Sequence, residues 1–239
     1  MHGTVWFHLT SLRDMSLHRN PAGFLGVLML DTRFPRVVGD IGNPATFAIP
    51  VRHRIVAGAS PQRVVREGDT TLLAPFLDAA RALVAEGAAA ITTSCGFLVE
   101  FQAALQAELP VPVWTSSLLK LPELSAPGVV TVDALSLGAR HLRAAGADAT
   151  VPVVGLAADC HLQRVLLDDE PAIDAGRAEA DVVEAAQRLV TRWPMVREIV
   201  FECTNMPPYA KAAARATRRP VHHIISLLHE RWRALEASA

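Results

Sequence analysis

Two similar stretches, each running from apolar residues to a cysteine, constrain the fold of this 239-residue chain more than any other feature. The first reads AAAITTSCGF and contains Cys95; the second reads EIVFECTNMPP and contains Cys203. The two cysteines are 108 positions apart, a little under half the chain. Short apolar runs that end on polar turn residues are typical of buried strands in a parallel sheet. We therefore predict two similar half-domains whose cysteines face each other across a cleft.

The rest of the chain alternates strand-like and helix-like segments. Continuous apolar runs predict strands, and apolar residues at helical spacing, closed by Gly or Pro, predict helices. The predicted strands are residues 24–30, 51–57, 88–93, 111–114, 128–132, 151–156, 199–201 and 221–223, and the predicted helices are residues 70–86, 96–109, 135–145, 172–193, 207–217 and 224–235. This order is that of βαβ units, which build parallel sheets.

The carboxyl ends of several predicted strands carry polar or reactive side chains. Ligands of parallel α/β sheets bind at this edge. Each of the two thiols lies where a helix is expected to begin, and the helix dipole and free N–H groups there favour the thiolate and lower the thiol pKa. The same N–H groups could hold a substrate carboxylate. The candidate catalytic residues are Cys95 and Cys203, and the candidate substrate-binding residues are Asp31, Thr32, Asn43, Thr93, Ser94, Gly96, Thr131, Thr204 and Asn205.

Plainer interpretations exist for each of these features. A free cysteine at the end of a buried strand is most often a small apolar filler, but two cysteines in matching contexts favour catalysis. The third cysteine, Cys160, precedes His161, yet adjacent residues on a helix do not face each other, which disfavours a Cys–His pair.

Residues 33–50 form a loop rich in turn-forming residues, and loops of this length are often functional lids.

Three motifs resemble those of the aspartate/glutamate/hydantoin racemase superfamily. They are GVLMLDT at residues 26–32, TTSCG at residues 92–96 and ECTNMPPY at residues 202–209. The resemblance implies an α/β protein with two pseudo-symmetric three-layer α/β/α lobes, each with a short, mainly parallel sheet, and an active site in the cleft between them. The expected divisions are a first lobe at residues 1–115, with an N-terminal arm at 1–20, a second lobe at 116–205, and a C-terminal segment at 206–239 that packs back on the first lobe.

The resemblance also implies an isomerase that needs no cofactor. One thiolate would remove the proton from the carbon next to a carboxylate, and the other thiol would reprotonate the opposite face. Two identical acid–base groups can exchange these roles for the two enantiomers. The resemblance predicts a racemase or epimerase for a small substrate such as aspartate, glutamate or a hydantoin. Gly96-Phe97 and Asn205 depart from the amino-acid racemase motifs, so the substrate stays open.

Two alternatives remain at this point. One is a maleate-type cis–trans isomerase, in which a cysteine adds to a double bond. The other is a non-catalytic ligand-binding module of the same fold. Arylmalonate decarboxylases, which also belong to the superfamily, resemble this chain less because they keep only one of the two cysteines.

Composition disfavours several classes of partner. The net charge is −1 and the pI is near 6.8, so the chain has no excess of positive charge for binding nucleic acid or an anionic membrane. Aromatic residues make up only 5% of the chain, which also disfavours a surface for stacking bases. No apolar run reaches the roughly 18 residues of a membrane helix, and the N-terminus does not read as a signal peptide. Three cysteines without a C-x-x-C pair indicate a reduced, cytoplasmic protein. We expect a small carboxylate as the ligand, no metal and no cofactor, with a homodimer compatible with the sequence.

Overall fold

The computed structural model of the protein describes residues 23–238, so the expected arm at residues 1–20 lies outside the described residues. It contains two four-stranded sheets in which every pairing is parallel. The first has the order β2-β1-β3-β4 and consists of β1 (Phe24–Leu30), β2 (Val51–Val56), β3 (Ala88–Thr93) and β4 (Val113–Trp114). The second has the order β6-β5-β7-β8 and consists of β5 (Pro127–Thr131), β6 (Val153–Gly155), β7 (Glu198–Phe201) and β8 (Val221–His222). The identical order confirms two similar α/β lobes.

Helices flank both sheets. They are α1 (Leu73–Ala85), α2 (Gln102–Glu108), α3 (Ala139–Ala144), α4 (His161–Leu167), α5 (Ala175–Arg192), α6 (Ala210–Thr217) and α7 (Ile224–Ser238). The longest, α5, begins at Asp174, whose carboxylate accepts hydrogen bonds from the N–H groups of Gly176 and Arg177. In the part of the chain described here, no helix is both long and apolar enough to cross a membrane.

Three elements differ from the sequence-based predictions. The helix predicted at 96–109 begins as a 3₁₀ segment, Gly96–Phe101, and becomes α-helical only at Gln102. The helix predicted at 135–145 is shortened to α3, because the Asp133 side chain instead caps a turn by accepting a hydrogen bond from the N–H of Leu135. Helix α4 was not predicted, although its buried residues Leu162, Val165 and Leu166 have helical spacing.

The first sheet is covered on both faces. All seven residues of β1 are buried, which explains its uninterrupted apolar sequence. One face carries α1, and the other carries α7, with Leu25 and Val27 in the same buried cluster as Trp232. Helix α7 packs back on the first lobe, whereas α6 packs on α5, and β8 pairs with β7 of the second sheet. The lobes therefore do not divide at residue 206, because the C-terminal segment contributes to both.

The long loop after β1 joins the two lobes. The N–H groups of Arg33 and Phe34 donate hydrogen bonds to the carboxylate of Asp169 in the second lobe, at 2.6 and 3.1 Å. Further along, the Ile41 N–H donates to the carbonyl oxygen of Thr204, at 3.4 Å. The loop is thus held at two points of the opposite lobe, and it closes one side of the cleft.

Candidate active site

A narrow pocket lies between the lobes, at the carboxyl ends of the central strands. Both lobes contribute to its wall, and most of the lining side chains are apolar. The lining residues are Leu30, Phe34, Arg36, Pro61, Val65, Ser94, Cys95, Gly96, Phe97, Val132, Leu166, Leu167, Glu202, Cys203, Thr204 and Asn205. The pocket is therefore a small, largely apolar chamber with a few polar groups.

Both cysteines of the matching stretches line this one pocket. Cys95 follows β3 and begins the 3₁₀ segment at Gly96, and Cys203 lies two residues beyond β7. Cys95 is partly exposed and Cys203 is buried, and neither forms a disulfide. The thiol of Cys203 donates a weak hydrogen bond to Oδ1 of Asn205, at 3.5 Å. The structure thus brings one thiol from each lobe to the same chamber.

The pKa values of both thiols are shifted in the direction opposite to the sequence-based expectation. Burial raises the pKa of both Cys95 and Cys203 well above the ordinary thiol value, and the negative charge of Glu202 adds to the effect. Backbone N–H groups do lower the pKa of each thiol, as expected, but this effect is smaller than that of burial. The prediction that the helix start lowers the thiol pKa was therefore wrong, since loss of hydration outweighs the local dipole.

Glu202 is a site residue that the sequence analysis missed. It is 1% exposed, and its Oε2 accepts a hydrogen bond from the hydroxyl of Thr131 at 2.7 Å. Its Oε1 is buried without a hydrogen-bond partner among the described residues, and burial raises the pKa of the carboxyl to about 8. The sequence does contain one indication of a site residue here, because Glu202 lies between an apolar strand and a cysteine. Burial of an unpaired charge at such a position is costly and is seldom found without a function.

Gly96 owes its identity to Glu202 rather than to a ligand. A Cβ atom added to Gly96 would overlap Oε1 and the carbonyl oxygen of Glu202, and would lie 2.9 Å from the carboxyl carbon. The missing side chain therefore makes room for the buried carboxyl group. Gly96 also lines the pocket.

Arg36 is a second site residue that the sequence analysis missed. Its guanidinium pairs with Asp40 at 3.2 Å, donates to the hydroxyl of Thr32 at 2.9 Å and lies 4.2 Å from the centre of the Phe34 ring. These two hydrogen bonds use two of its five N–H donors. Arg36 lies in the loop that was identified as a lid from its turn residues, but its role depends on contacts that spacing does not reveal.

Except for Asp31, the remaining predicted site residues fall into three groups. Ser94, Gly96, Thr204 and Asn205 line the pocket, as the two cysteines do. Thr93 and Thr131 are buried behind its wall, where their hydroxyls donate to the Thr115 carbonyl oxygen and to Glu202. Two others support Arg36 in the pocket wall: the hydroxyl of Thr32 accepts a hydrogen bond from its guanidinium, and the side-chain amide of Asn43 donates one to its carbonyl oxygen. Asp31 lies outside the pocket, where it is exposed and faces the N–H of Gly58.

Two further groups lie apart from the pocket wall. Cys160 precedes α4, and burial raises the pKa of its thiol. His161 accepts a hydrogen bond from the N–H of Asp174, so it supports the start of α5 and does not pair with Cys160. Within residues 23–238, no group of three or more His, Cys, Asp and Glu side chains is arranged to hold a metal ion.

Comparisons with known proteins identify sequence relatives that are named for the reaction they catalyse. The chain is 31% identical over 220 residues to dimethylsulfoniopropionate lyase 7 of Emiliania huxleyi (strain CCMP1516), a match that covers 84% of this chain and 64% of the relative. It is 30% identical over 217 residues to the dimethylsulfoniopropionate lyase of Durusdinium sp. clade D, covering 84% of this chain and 71% of the relative. The chain thus spans just under two thirds of the first relative's length. No protein-family model matches it.

Solved structures show the same fold at lower identity. Unliganded arylmalonate decarboxylase superposes with a TM-score of 0.55 at 17% identity, covering 83% of this chain and 86% of that one. Glutamate racemase from Aquifex pyrophilus superposes with a TM-score of 0.51 at 17% identity, covering 90% of this chain and 82% of that one. The fold is that of the aspartate/glutamate racemase superfamily, as the three motifs indicated.

The expected isomerase function is corrected by the sequence relatives, which are named as lyases. A racemase or epimerase was inferred from motifs that define a fold and a pair of cysteines. One fold supports several reactions, so these motifs did not determine the reaction.

Proposed function

Since the chain belongs to the family of the dimethylsulfoniopropionate lyases, we propose that it cleaves the carbon–sulfur bond of dimethylsulfoniopropionate or of a closely related sulfonium carboxylate. The observation that carries the proposal is the 30% identity to a lyase of which the chain covers 71%. The pocket supports it, since it combines thiols with a partly buried arginine and a buried carboxyl group.

The substrate contains the two features that an elimination needs. Its carboxylate acidifies the neighbouring C–H group, and its sulfonium group leaves the adjacent carbon as neutral dimethyl sulfide. A base takes the proton, the C–H electron pair forms the carbon–carbon double bond, and the C–S electron pair departs with sulfur. The products are dimethyl sulfide, acrylate and a proton on the base. Because the leaving group departs neutral, the reaction needs one base and no general acid.

A cysteine thiolate is the base that we assign to this step. Both thiols line the pocket, and the charges around them differ. The negative charge of Glu202 opposes both thiolates. The cationic Arg36 favours the thiolate of Cys95, whereas Cys95 and Asp40 further oppose the thiolate of Cys203. These charges favour Cys95 as the proton acceptor. Cys203, held by Asn205, then remains a neutral thiol in the wall of the pocket.

Arg36 is the residue that we assign to the substrate carboxylate. Its guanidinium lies in the pocket wall, and Asp40, Thr32 and Phe34 restrict its orientation. A planar guanidinium matches a carboxylate through two parallel hydrogen bonds. As the proton leaves the neighbouring carbon, negative charge grows on the carboxylate, and a fixed cation stabilises it. The small carboxylate ligand expected from the sequence is retained in this proposal.

The direct test is to incubate the purified chain with dimethylsulfoniopropionate. Dimethyl sulfide is measured by gas chromatography of the headspace, and acrylate is measured by NMR in equal amount. The Cys95→Ser/Cys203→Ser double variant is the control, since it removes both candidate bases and changes only one atom in each side chain. Absence of dimethyl sulfide from the folded wild-type chain across a series of sulfonium carboxylates would contradict the proposal. The cytoplasmic location and the homodimer remain predictions from the sequence.

A further inference from the structure

Among residues 23–238, no cationic side chain forms a salt bridge with the carboxyl group of Glu202. Among the described residues that line the pocket, Glu202 is the one acidic side chain and Arg36 the one basic side chain. Arg36 already pairs with Asp40, at 3.2 Å. Glu202 has a single hydrogen bond to its Oε2, from Thr131, and none to its Oε1 within residues 23–238. Ionisation of a carboxyl group is costly in this setting. The group therefore either stays protonated or pairs with a cation.

The pocket that Glu202 lines has a largely apolar wall, which suits an apolar cation. This wall includes Phe97, Val132, Leu166 and Leu167, which are all buried. A sulfonium or quaternary ammonium group carries methyl groups around its charge and donates no hydrogen bonds. Such a group suits a wall of this kind better than a primary ammonium does, because the latter would lose hydrogen bonds to water.

From this geometry we propose that Glu202 recognises the cationic end of the substrate and selects zwitterionic substrates over purely anionic ones. Arg36 then binds the carboxylate, Glu202 faces the sulfonium, and the two thiols lie in the wall of the same pocket. The inference rests on the proposed lyase function, because that function supplies a substrate with a methylated positive charge. It assigns specificity to a residue that is not needed for proton abstraction.

Proton release on binding is the signature of this arrangement. Glu202 is protonated in the empty pocket at neutral pH, since burial raises its pKa to about 8. A bound cation stabilises the carboxylate, so the O–H bond of Glu202 breaks and its proton passes to solvent.

The first experiment compares two ligands of nearly equal shape. The probes are 3-(trimethylammonio)propionate, a zwitterion, and 4,4-dimethylpentanoate, in which carbon replaces the charged nitrogen. We expect the wild-type chain to bind the zwitterion at least about tenfold more tightly. Glu202→Gln keeps the shape and removes the charge, so its preference should fall to about twofold or less. An unchanged preference in a folded Glu202→Gln variant would overturn the inference.

The second experiment needs no variant. Calorimetry of zwitterion binding in buffers of different ionisation enthalpy reports the protons released. We expect release below a pH of about 8, its loss above that pH, and none with 4,4-dimethylpentanoate. Ultraviolet absorbance of thiolate, measured in parallel, separates Glu202 from the cysteines as the proton source. Release accompanied by an equal gain of thiolate, or no release at all, would contradict the role of Glu202.

These measurements distinguish the two proposals from each other. If the chain produces dimethyl sulfide but shows no charge preference that depends on Glu202, the lyase function stands and the specificity role fails. If it binds the zwitterion through Glu202 but produces no dimethyl sulfide, the recognition role stands and the lyase function fails.

Discussion

Asp40 of the first lobe accepts a hydrogen bond from the side-chain amide of Asn205 in the second lobe, and the same carboxylate pairs with Arg36. This contact fixes the orientation of Asn205, because its nitrogen must face Asp40 and its oxygen is then left for the thiol of Cys203. A continuous polar chain therefore connects the guanidinium in one wall of the pocket with the thiol in the other. These hydrogen bonds, together with packing, fix the position of one lobe relative to the other at the cleft.

Replacing Asn205 should destabilise the protein in a graded way. Asn205→Ala leaves the buried Asp40, which is 2% exposed, without one of its donors, and we expect the free energy of unfolding to fall by about 1–3 kcal/mol. Asn205→Asp has the original shape but places two carboxylates together, so it should be less stable than Asn205→Ala. Urea unfolding of the three proteins gives the order. A stable Asn205→Asp protein would contradict the assigned contact.

Replacing Arg36 should weaken substrate binding. Arg36→Lys keeps the charge but loses the planar fork, and we expect KM for dimethylsulfoniopropionate to rise by about tenfold or more, while kcat changes less. Arg52→Lys is the matched control, because Arg52 also lies over a phenylalanine ring, that of Phe24 at 4.3 Å, but outside the pocket. Equal effects in the two variants would show that Arg36 acts through packing alone.

The two cysteines should contribute unequally to turnover. Elimination with a neutral leaving group needs one base, so loss of that base should reduce kcat by about 10²–10⁴-fold and loss of the other thiol much less. The charge environment predicts the larger loss in Cys95→Ser. Headspace measurement of dimethyl sulfide for each single variant tests this. A larger loss in Cys203→Ser would reverse the assignment, and equal complete losses would indicate that both thiols take part in the reaction.

Adding a methyl group to Gly96 should disturb Glu202. In Gly96→Ala the new Cβ would overlap the Glu202 carboxyl group, and we expect a loss of about 1–3 kcal/mol in the free energy of unfolding. Glu202→Asp in the same chain withdraws the carboxyl group and should recover part of that loss. Gly138→Ala is the control, since no heavy atom lies within 4 Å of its added Cβ. Gly96→Ala with wild-type stability would contradict the close packing.

Glu202 should give the protein a distinctive dependence of stability on pH. Its pKa in the folded protein, about 8, is above the ordinary value of 4.5, so the folded state retains a proton that the unfolded state has lost between these pH values. Stability contributed by this group therefore falls as pH rises from about 4.5 to about 8, by up to about 1.4 kcal/mol per pH unit. Urea unfolding over this range should show the slope in the wild type and not in Glu202→Gln. Parallel curves would show that Glu202 is already ionised.

Much of the fold could be predicted from the sequence because it depends on periodic patterns. The apolar run of β1 and the matching stretches before Cys95 and Cys203 indicated buried strands, and both cysteines do line the pocket. Arg36 and Glu202 could not be found in this way. Their importance lies in burial and in contacts between residues far apart in the chain, such as that of Glu202 with Gly96. The thiol pKa failed as a prediction for the same reason, since desolvation depends on the whole pocket.

The packing of α7 on the first sheet has a consequence for synthesis of the chain. Strand β1 leaves the ribosome long before the helix that covers Leu25 and Val27, because that helix contains Trp232. The first lobe thus cannot bury both faces of its sheet until α7 (Ile224–Ser238) has been translated. A nascent chain that stalls before residue 224 would expose this apolar face, and it would be a natural client for chaperones that bind such surfaces.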